Sequence, residues 1–205
     1  MFRLWYLQKR NTFLFLDLRR PAVITATSIA DGTYTADPVH SSVQAGARHM
    51  GVGSFRTTFS DVEARLTSDQ DTIRLEGRVQ VQSISIHNPP EFREHVVNGA
   101  DFFDATHHPE ILFSSSRLAL DADGTLELEG ELVIKGIAKP LRATGSWREP
   151  VEDPYGGLRT AVDLQAVVDR RDWEITWQAP LPKGGDALGW DVTLDVHLEL
   201  VKDAG

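Results

Sequence analysis

From Asp31 onward the chain alternates apolar and polar residues with a period of two. In an extended strand successive side chains point to opposite faces, so this pattern specifies strands with one buried and one wet face. Val39, Ser41, Val43, Ala45, Ala47 and His49 share one face, and Phe55, Thr57 and Phe59 continue it. Ile73, Leu75, Val79 and Val81 alternate with Arg74, Glu76, Arg78, Gln80 and Gln82. The same phase recurs in Leu126, Leu128, Leu132 and Ile134, in Leu141, Ala143 and Trp147, in Leu158, Val162, Leu164 and Val168, and from Trp190 to Leu200. One wet face is the signature of antiparallel sheet. Several runs approach about ten residues, against a usual strand of about 5–6. Long strands of this kind, with no second helical layer, must stack as two sheets or close on themselves, and closure also removes exposed edges. Alternation alone does not choose between barrel and sandwich.

Turn signals fall between the runs at Asp123-Gly124, Lys135-Gly136 and Pro154-Tyr155-Gly156-Gly157. A short helix is expected at about 89–97: Asn88 offers a cap, Pro89 suits the first helical position, Glu91 resembles the far half of a capping box, and Asn98-Gly99 supplies the stop. The phase changes between Val81 and Ile86, which predicts a bulge. With no linker, repeat or composition break after Asp31, residues 31–205 read as one all-β domain. Residues 1–30 read as an extension ahead of it. The apolar stretch Phe13-Leu14-Phe15-Leu16 ends at Asp17 and is followed by Arg19 and Arg20, too short for a membrane span of about 20 residues or a secretory core of about 7–15. A mobile extension or residues upstream of the natural start is the expectation, with a docked strand or an export signal as alternatives. The expected compartment is cytoplasmic.

Charge narrows the partners. Twenty-one Lys and Arg face 30 Asp and Glu, a net −9, which argues against nucleic acid and against adhesion to anionic membranes. The absence of cysteine excludes disulfides, thiolate nucleophiles and cysteine-based zinc sites. No G-x-S-x-G, phosphate loop, dinucleotide fingerprint or complete metal-ligand set occurs, His107-His108-Pro109-Glu110 included. No metal and no cofactor are expected.

A set of ordered motifs carries a family likeness. Tyr34-Thr35-Ala36-Asp37-Pro38-Val39-His40-Ser41-Ser42-Val43 is followed by Arg48-His49-Met50, then by Asp101-Phe102-Phe103-Asp104, Pro109-Glu110-Ile111 and Phe113-Ser114-Ser115. Gly130-Glu131-Leu132 with Lys135-Gly136 through Pro140, and Asp169-Arg170-Arg171-Asp172-Trp173, complete it. From Asp31 to Leu200 the chain resembles the YceI-like family of polyisoprenoid-binding proteins. The resemblance implies a lipocalin-like closed antiparallel barrel of about eight strands whose interior tunnel holds a long isoprenoid chain, such as that of a quinone or polyprenyl compound, as ligand. It also implies homodimers, which recur in the family, and no enzymatic activity. The chain departs from the family at Ala45 and Ala47, where bulkier residues are usual, at Glu174, near which the family favours Gly, and at Trp190, where a small polar residue is common.

The candidate binding residues follow from inward phase and from the resemblance together. They are Val43, Ala45, Ala47, His49, Phe55, Phe59, Leu75 and Val79 on strands, Phe102 and Phe103 as a gate, and Phe113, Trp147, Trp173 and Trp177 along the wall or mouth. Arg170 and Arg171 read as a solvated or salt-bridged pair, with contact to an anionic head group as the alternative. His40 and Ser41 are neighbours in an extended segment and point to opposite faces, so they make no catalytic pair. Three functions compete: a non-catalytic carrier or reservoir for a long isoprenoid, with no nucleic acid and no stable membrane insertion; an enzyme on an apolar substrate using His49 and Asp101; and a stress-related interaction module whose barrel is only a core.

Overall fold

The computed structural model describes residues 29–70 and 72–204, so the expectations for the first 28 residues lie outside the described residues. Ten strands follow one another: β1 (Gly32–Ala36), β2 (Ser42–His49), β3 (Gly53–Phe59), β4 (Val62–Asp69), β5 (Thr72–Gln80), β6 (Glu110–Leu120), β7 (Thr125–Ile134), β8 (Ile137–Glu152), β9 (Leu158–Asp169) and β10 (Leu188–Lys202). All pair antiparallel. β1 and β2 lie end to end on one edge of β10, with Ala36 opposite Leu200 and Ser42 opposite His197. β3 and β4 are likewise successive halves of the next position, β3 pairing with β2 and β4 with β1. Ten segments therefore fill eight positions, and the β1–β10 ladder closes the barrel. Closure was one of two outcomes open to the alternation. Strands of up to 16 residues leave it as the one arrangement here without a long free edge.

Pro38 divides β1 from β2. The turn it forms, with the Val39 N–H donating to Asp37 Oδ1 at 2.9 Å, pushes Val39 outward to 82% exposure, against the inward position its phase suggested. The change of phase between Val81 and Ile86 is not a bulge. It is a 3₁₀ turn, Val81–Ser83, which takes the chain off the sheet to cover β3. The Ser85 N–H donates to Thr58 O at 2.8 Å and Ile84 bridges Phe59, so the far edge of β3 is capped by this connection rather than left open.

The helix α1 is Pro90–Asn98, one residue later than expected, and Pro89 rather than Asn88 occupies its cap position. A residue before proline is driven out of the helical region, so Pro90 holds Pro89 extended (φ −73°, ψ 156°) and itself takes the first helical place. Asn88 makes no capping bond. Gly99 ends the helix in extended conformation; a Cβ there would stand 2.5 Å from His95 O, so close approach rather than left-handed backbone requires the glycine. No helix among the described residues is long and apolar enough to cross a membrane.

One ionic hub ties the barrel's seam. The Arg159 guanidinium donates to Asp37 (2.8 Å), Asp153 (2.8 Å) and Glu199 (2.6 Å), joining the β1–β2 break, the β8–β9 turn and β10. His40 stands 3.2 Å from Asp37. Asp37, His40 and Glu199 group as metal ligands would, yet the guanidinium already sits among their carboxylates. Its hydrogen bonds hold the Asp37 and Asp153 carboxyls below the usual range. A carboxyl depressed in the folded state stabilises above its unfolded pKa and loses that contribution as pH falls through the folded value. Stability should therefore decline below about pH 4, the unfolded carboxyl range, and Arg159→Met should flatten that acid limb. Urea unfolding of both proteins between neutral and acid pH checks this; parallel curves would remove the hub from the account.

Candidate functional site: a blind apolar cavity

The interior is hollow over part of its length and filled over the rest, and the boundary shows on β4, β7, β9 and β10. Ala64 lines the void while Leu66, two residues on, is fully buried; the same step occurs from Leu128 to Leu126, Leu164 to Val162, and Leu198 to Leu200. Tyr34, Leu66, Leu126 and Leu200 are each 0% exposed and belong to one packed cluster with Val162 and Trp147. That cluster is a floor. Above it lies a cavity of about 280 Å³ walled almost entirely by apolar atoms, a blind pocket rather than a through-tunnel.

Aromatic side chains roof it. Phe92 of α1 meets Phe55 edge-on at 6.0 Å, Phe103 meets Phe59 edge-on at 6.0 Å, and Phe102 stacks on Trp177 at 5.5 Å. Such pairs add about 0.5–1.5 kcal/mol each beyond burial. The roof is anchored by polar contacts: His95 Nε2 lies 2.9 Å from Asp101 Oδ1, and Thr176 and Trp177 N–H groups donate to Asp101 O at 3.0 and 3.1 Å. Lys135 Nζ bridges Ala100 O and Glu174 O at 2.6 and 3.0 Å, linking the β7–β8 turn to the roof.

Val43, Ala45, Ala47, His49, Phe55, Phe59, Leu75, Val79, Phe102, Phe103, Phe113, Trp173 and Trp177 all line this cavity. Trp147 does not. Its indole lies in the floor, 3% exposed, with Nε1 donating to Asp121 O at 3.0 Å, because the β7–β8 pairing carries residue 147 past the level of the void. Asp101 pairs with His95 rather than with His49. Ile84, Phe92, Ile111 and the β9–β10 residues Leu164, Ala166, Val168, Leu194, Val196 and Leu198 also face the cavity; the period-two phase of those two strands carried that signal. Ser41 is buried and bonded to the Glu199 backbone, while His40 turns out to Asp37.

Arg170 and Arg171 separate completely. Arg171 is exposed and grips the Asp169 carboxylate, with Nε 2.9 and 3.0 Å from its two oxygens. Arg170 is 3% exposed and makes no salt bridge within the described residues, so the solvated or salt-bridged pair expected from sequence holds for Arg171 alone. Trp190 covers both guanidinium groups, at 4.2 and 4.9 Å, and its indole N–H donates to Asp186 Oδ2 at 2.9 Å. The turn Arg170–Trp173 ends on Glu174 at φ 56°, ψ 29°, the left-handed conformation that costs an L-residue roughly 1–2 kcal/mol. That geometry is the physical reason a glycine suits this place. Glu174→Gly should be neutral to stabilising by about 1 kcal/mol after the extra backbone entropy of glycine is counted, and a thermal melt that drops would contradict the strain assignment.

A closed eight-position barrel with an aromatic roof, a packed floor and an apolar void between them defines a lipocalin-like fold with a hollow interior rather than a solid β-scaffold. The sequence profile of the YceI-like domain matches residues 34–200, and the chain belongs to that family. It is 25% identical over 196 residues to a UPF0312 protein of Pseudomonas putida strain W619, covering 94% of this chain and 98% of that one. It is 24% identical over 147 residues to the protein YceI of Shigella flexneri, covering 71% and 76%. Among solved structures, Burkholderia cenocepacia BcnA superposes with a TM-score of 0.64 at 20% identity, over 80% of this chain and 98% of that one. A polyisoprenoid-binding domain from Saccharophagus degradans, implicated in plant cell wall breakdown, superposes with a TM-score of 0.61 at 9% identity, over 85% and 100%.

Proposed function

We propose that this protein binds and holds, without catalysis, a long-chain isoprenoid lipid of quinone or polyprenyl type, its tail in the cavity. The observation that carries the reading is the void itself, walled almost entirely by apolar atoms and closed at its floor. The Saccharophagus degradans domain, whose fold this chain shares, is described as polyisoprenoid-binding, which supports the same ligand class. Burying one methylene contributes about 0.8 kcal/mol, so a five-carbon unit brings on the order of 3–4 kcal/mol gross. Association costs about 4–15 kcal/mol, and about four buried units offset a middling value of that cost. Affinity should then follow tail length. The protein competes with membrane rather than with water for its ligand, and gains by contact density in a shaped cavity.

The test is native mass spectrometry of protein purified from its own host, with organic extraction of any adduct. A prenyl lipid is expected, and C15 to C20 prenyl alcohols added to delipidated protein should bind more tightly with each added unit. Protein that binds no prenyl alcohol of any length would overturn the proposal.

A further inference from the structure

The level of the floor decides how much of a tail the barrel can take. On β7 the void runs from Leu128 to Ile134 and on β9 from Leu164 to Arg170, with Leu126 and Val162 buried in the packed cluster below. Each stretch is six residue steps, roughly 15 Å along the axis at about 3.3 Å per residue and a barrel tilt of about 40°. An isoprene unit adds four bonds of about 1.5 Å to a chain and advances it about 5 Å when extended. About three extended units therefore reach from roof to floor. Volume gives a second measure. A water-sized group needs about 10–15 Å³ of such a void, so the 280 Å³ available holds roughly 20–28 non-hydrogen atoms, or about four to five units. A chain that coils to fill the width meets both limits at about four.

The floor is a firm boundary. Tyr34, Leu66, Leu126 and Leu200 are 0% exposed, and the polar groups around them are committed. Tyr34 Oη donates to Ala30 O at 2.9 Å, Ser68 Oγ to Ile29 O at 3.1 Å and Trp147 Nε1 to Asp121 O at 3.0 Å. No buried side-chain nitrogen or oxygen among the described residues lacks a partner. Swinging Tyr34 or Trp147 aside would break such a bond and open a hole in packed apolar contacts, so an arriving tail meets two costs at once. Directly above the floor, small residues keep the void open. Ala64 stands opposite Gly77, and a Cβ at Gly77 would meet only Glu63 O, at 3.7 Å. We propose that this floor limits the bound tail to about four isoprene units, near twenty carbons, and that further units stay outside the barrel in water. The inference rests on the isoprenoid-binding reading and selects, within that ligand class, the tails near this length.

The test equilibrates delipidated protein with phosphatidylcholine vesicles carrying an equimolar series of prenyl alcohols from C10 to C40, and native mass spectrometry reads which ones are bound. A unit that moves from bilayer to cavity exchanges one apolar surrounding for another, whereas a unit left outside passes from lipid to water. The bound amount should therefore hold or rise to about C20 and fall at least about tenfold with each unit beyond it. Ala64→Phe places a ring over Gly77 at the bottom of the void and should move that break about one unit shorter. Arg65→Gln, on the outer face of the same strand, should leave it in place. Should Ala64→Phe not fold, the wild-type series decides. A bound amount that holds level past C25, or a break that a folded Ala64→Phe does not move, overturns the length limit and leaves the isoprenoid reading standing. Binding of no alcohol at any length overturns the isoprenoid reading itself.

Discussion

Purified from its host, the double variant Ala45→Phe/Ala47→Phe should carry less than about one tenth of the lipid that accompanies the wild-type protein, with its β-sheet spectrum unchanged. Both alanines face the void from β2, at positions paired with Thr57 and Phe55 on β3 and with Leu194 and Val192 on β10. Two benzyl groups placed there occupy the space into which a tail would extend. The usual cost of enlarging a core side chain, roughly 1–3 kcal/mol, comes from forcing packed neighbours aside. Here the neighbours border empty volume, so a melting temperature equal to or above wild type is expected alongside the loss of ligand. Native mass spectrometry and a thermal melt on one preparation make the comparison. A folded variant that still copurifies with a full complement of lipid would show that the tail lies elsewhere.

Trp173→Ala should destabilise the fold by roughly 3–5 kcal/mol, the range for truncating a large buried aromatic. Trp173 is 1% exposed, its indole N–H donates to Leu132 O at 3.2 Å, and its ring forms part of the cavity wall. Truncation removes that burial and leaves the Leu132 carbonyl without its donor. Against a typical total of about 5–15 kcal/mol, the loss is a large fraction of the stability. The urea midpoint should fall with an unchanged slope, and Trp173→Phe should recover most of the packing while still losing the hydrogen bond. An alanine variant within about 0.5 kcal/mol of wild type would mean that the turn Arg170–Trp173 is not part of the cooperative core. The two substitutions are complementary: one fills the void at constant fold, the other weakens the wall that encloses it.

The local rules proved legible wherever one strand face was dry. Val43, Ala45 and Ala47, then Leu75 and Val79, line the cavity as their phase implied, because the pleat leaves a strand only two faces. Errors fall where the backbone leaves the strand. Val39 kept the phase but sits in the turn imposed by Pro38; Val81–Ser83 is a 3₁₀ turn; and the cap moved from Asn88 to Pro89 because of a proline one residue further on. The departure at Glu174 was visible as a residue type, and its meaning came only with the φ of 56°.

Amino-acid order by itself determined the strands, most of their buried faces, the family and the absence of cysteine chemistry, since each is read from residue types and their spacing along the chain. Tertiary structure decided closure over stacking, the level at which filling gives way to void, the removal of Trp147 from the wall to the floor, and the split fate of Arg170 and Arg171. Those outcomes hinge on which residues meet across the axis, and register and tilt, set by pairings far apart in sequence, govern that meeting.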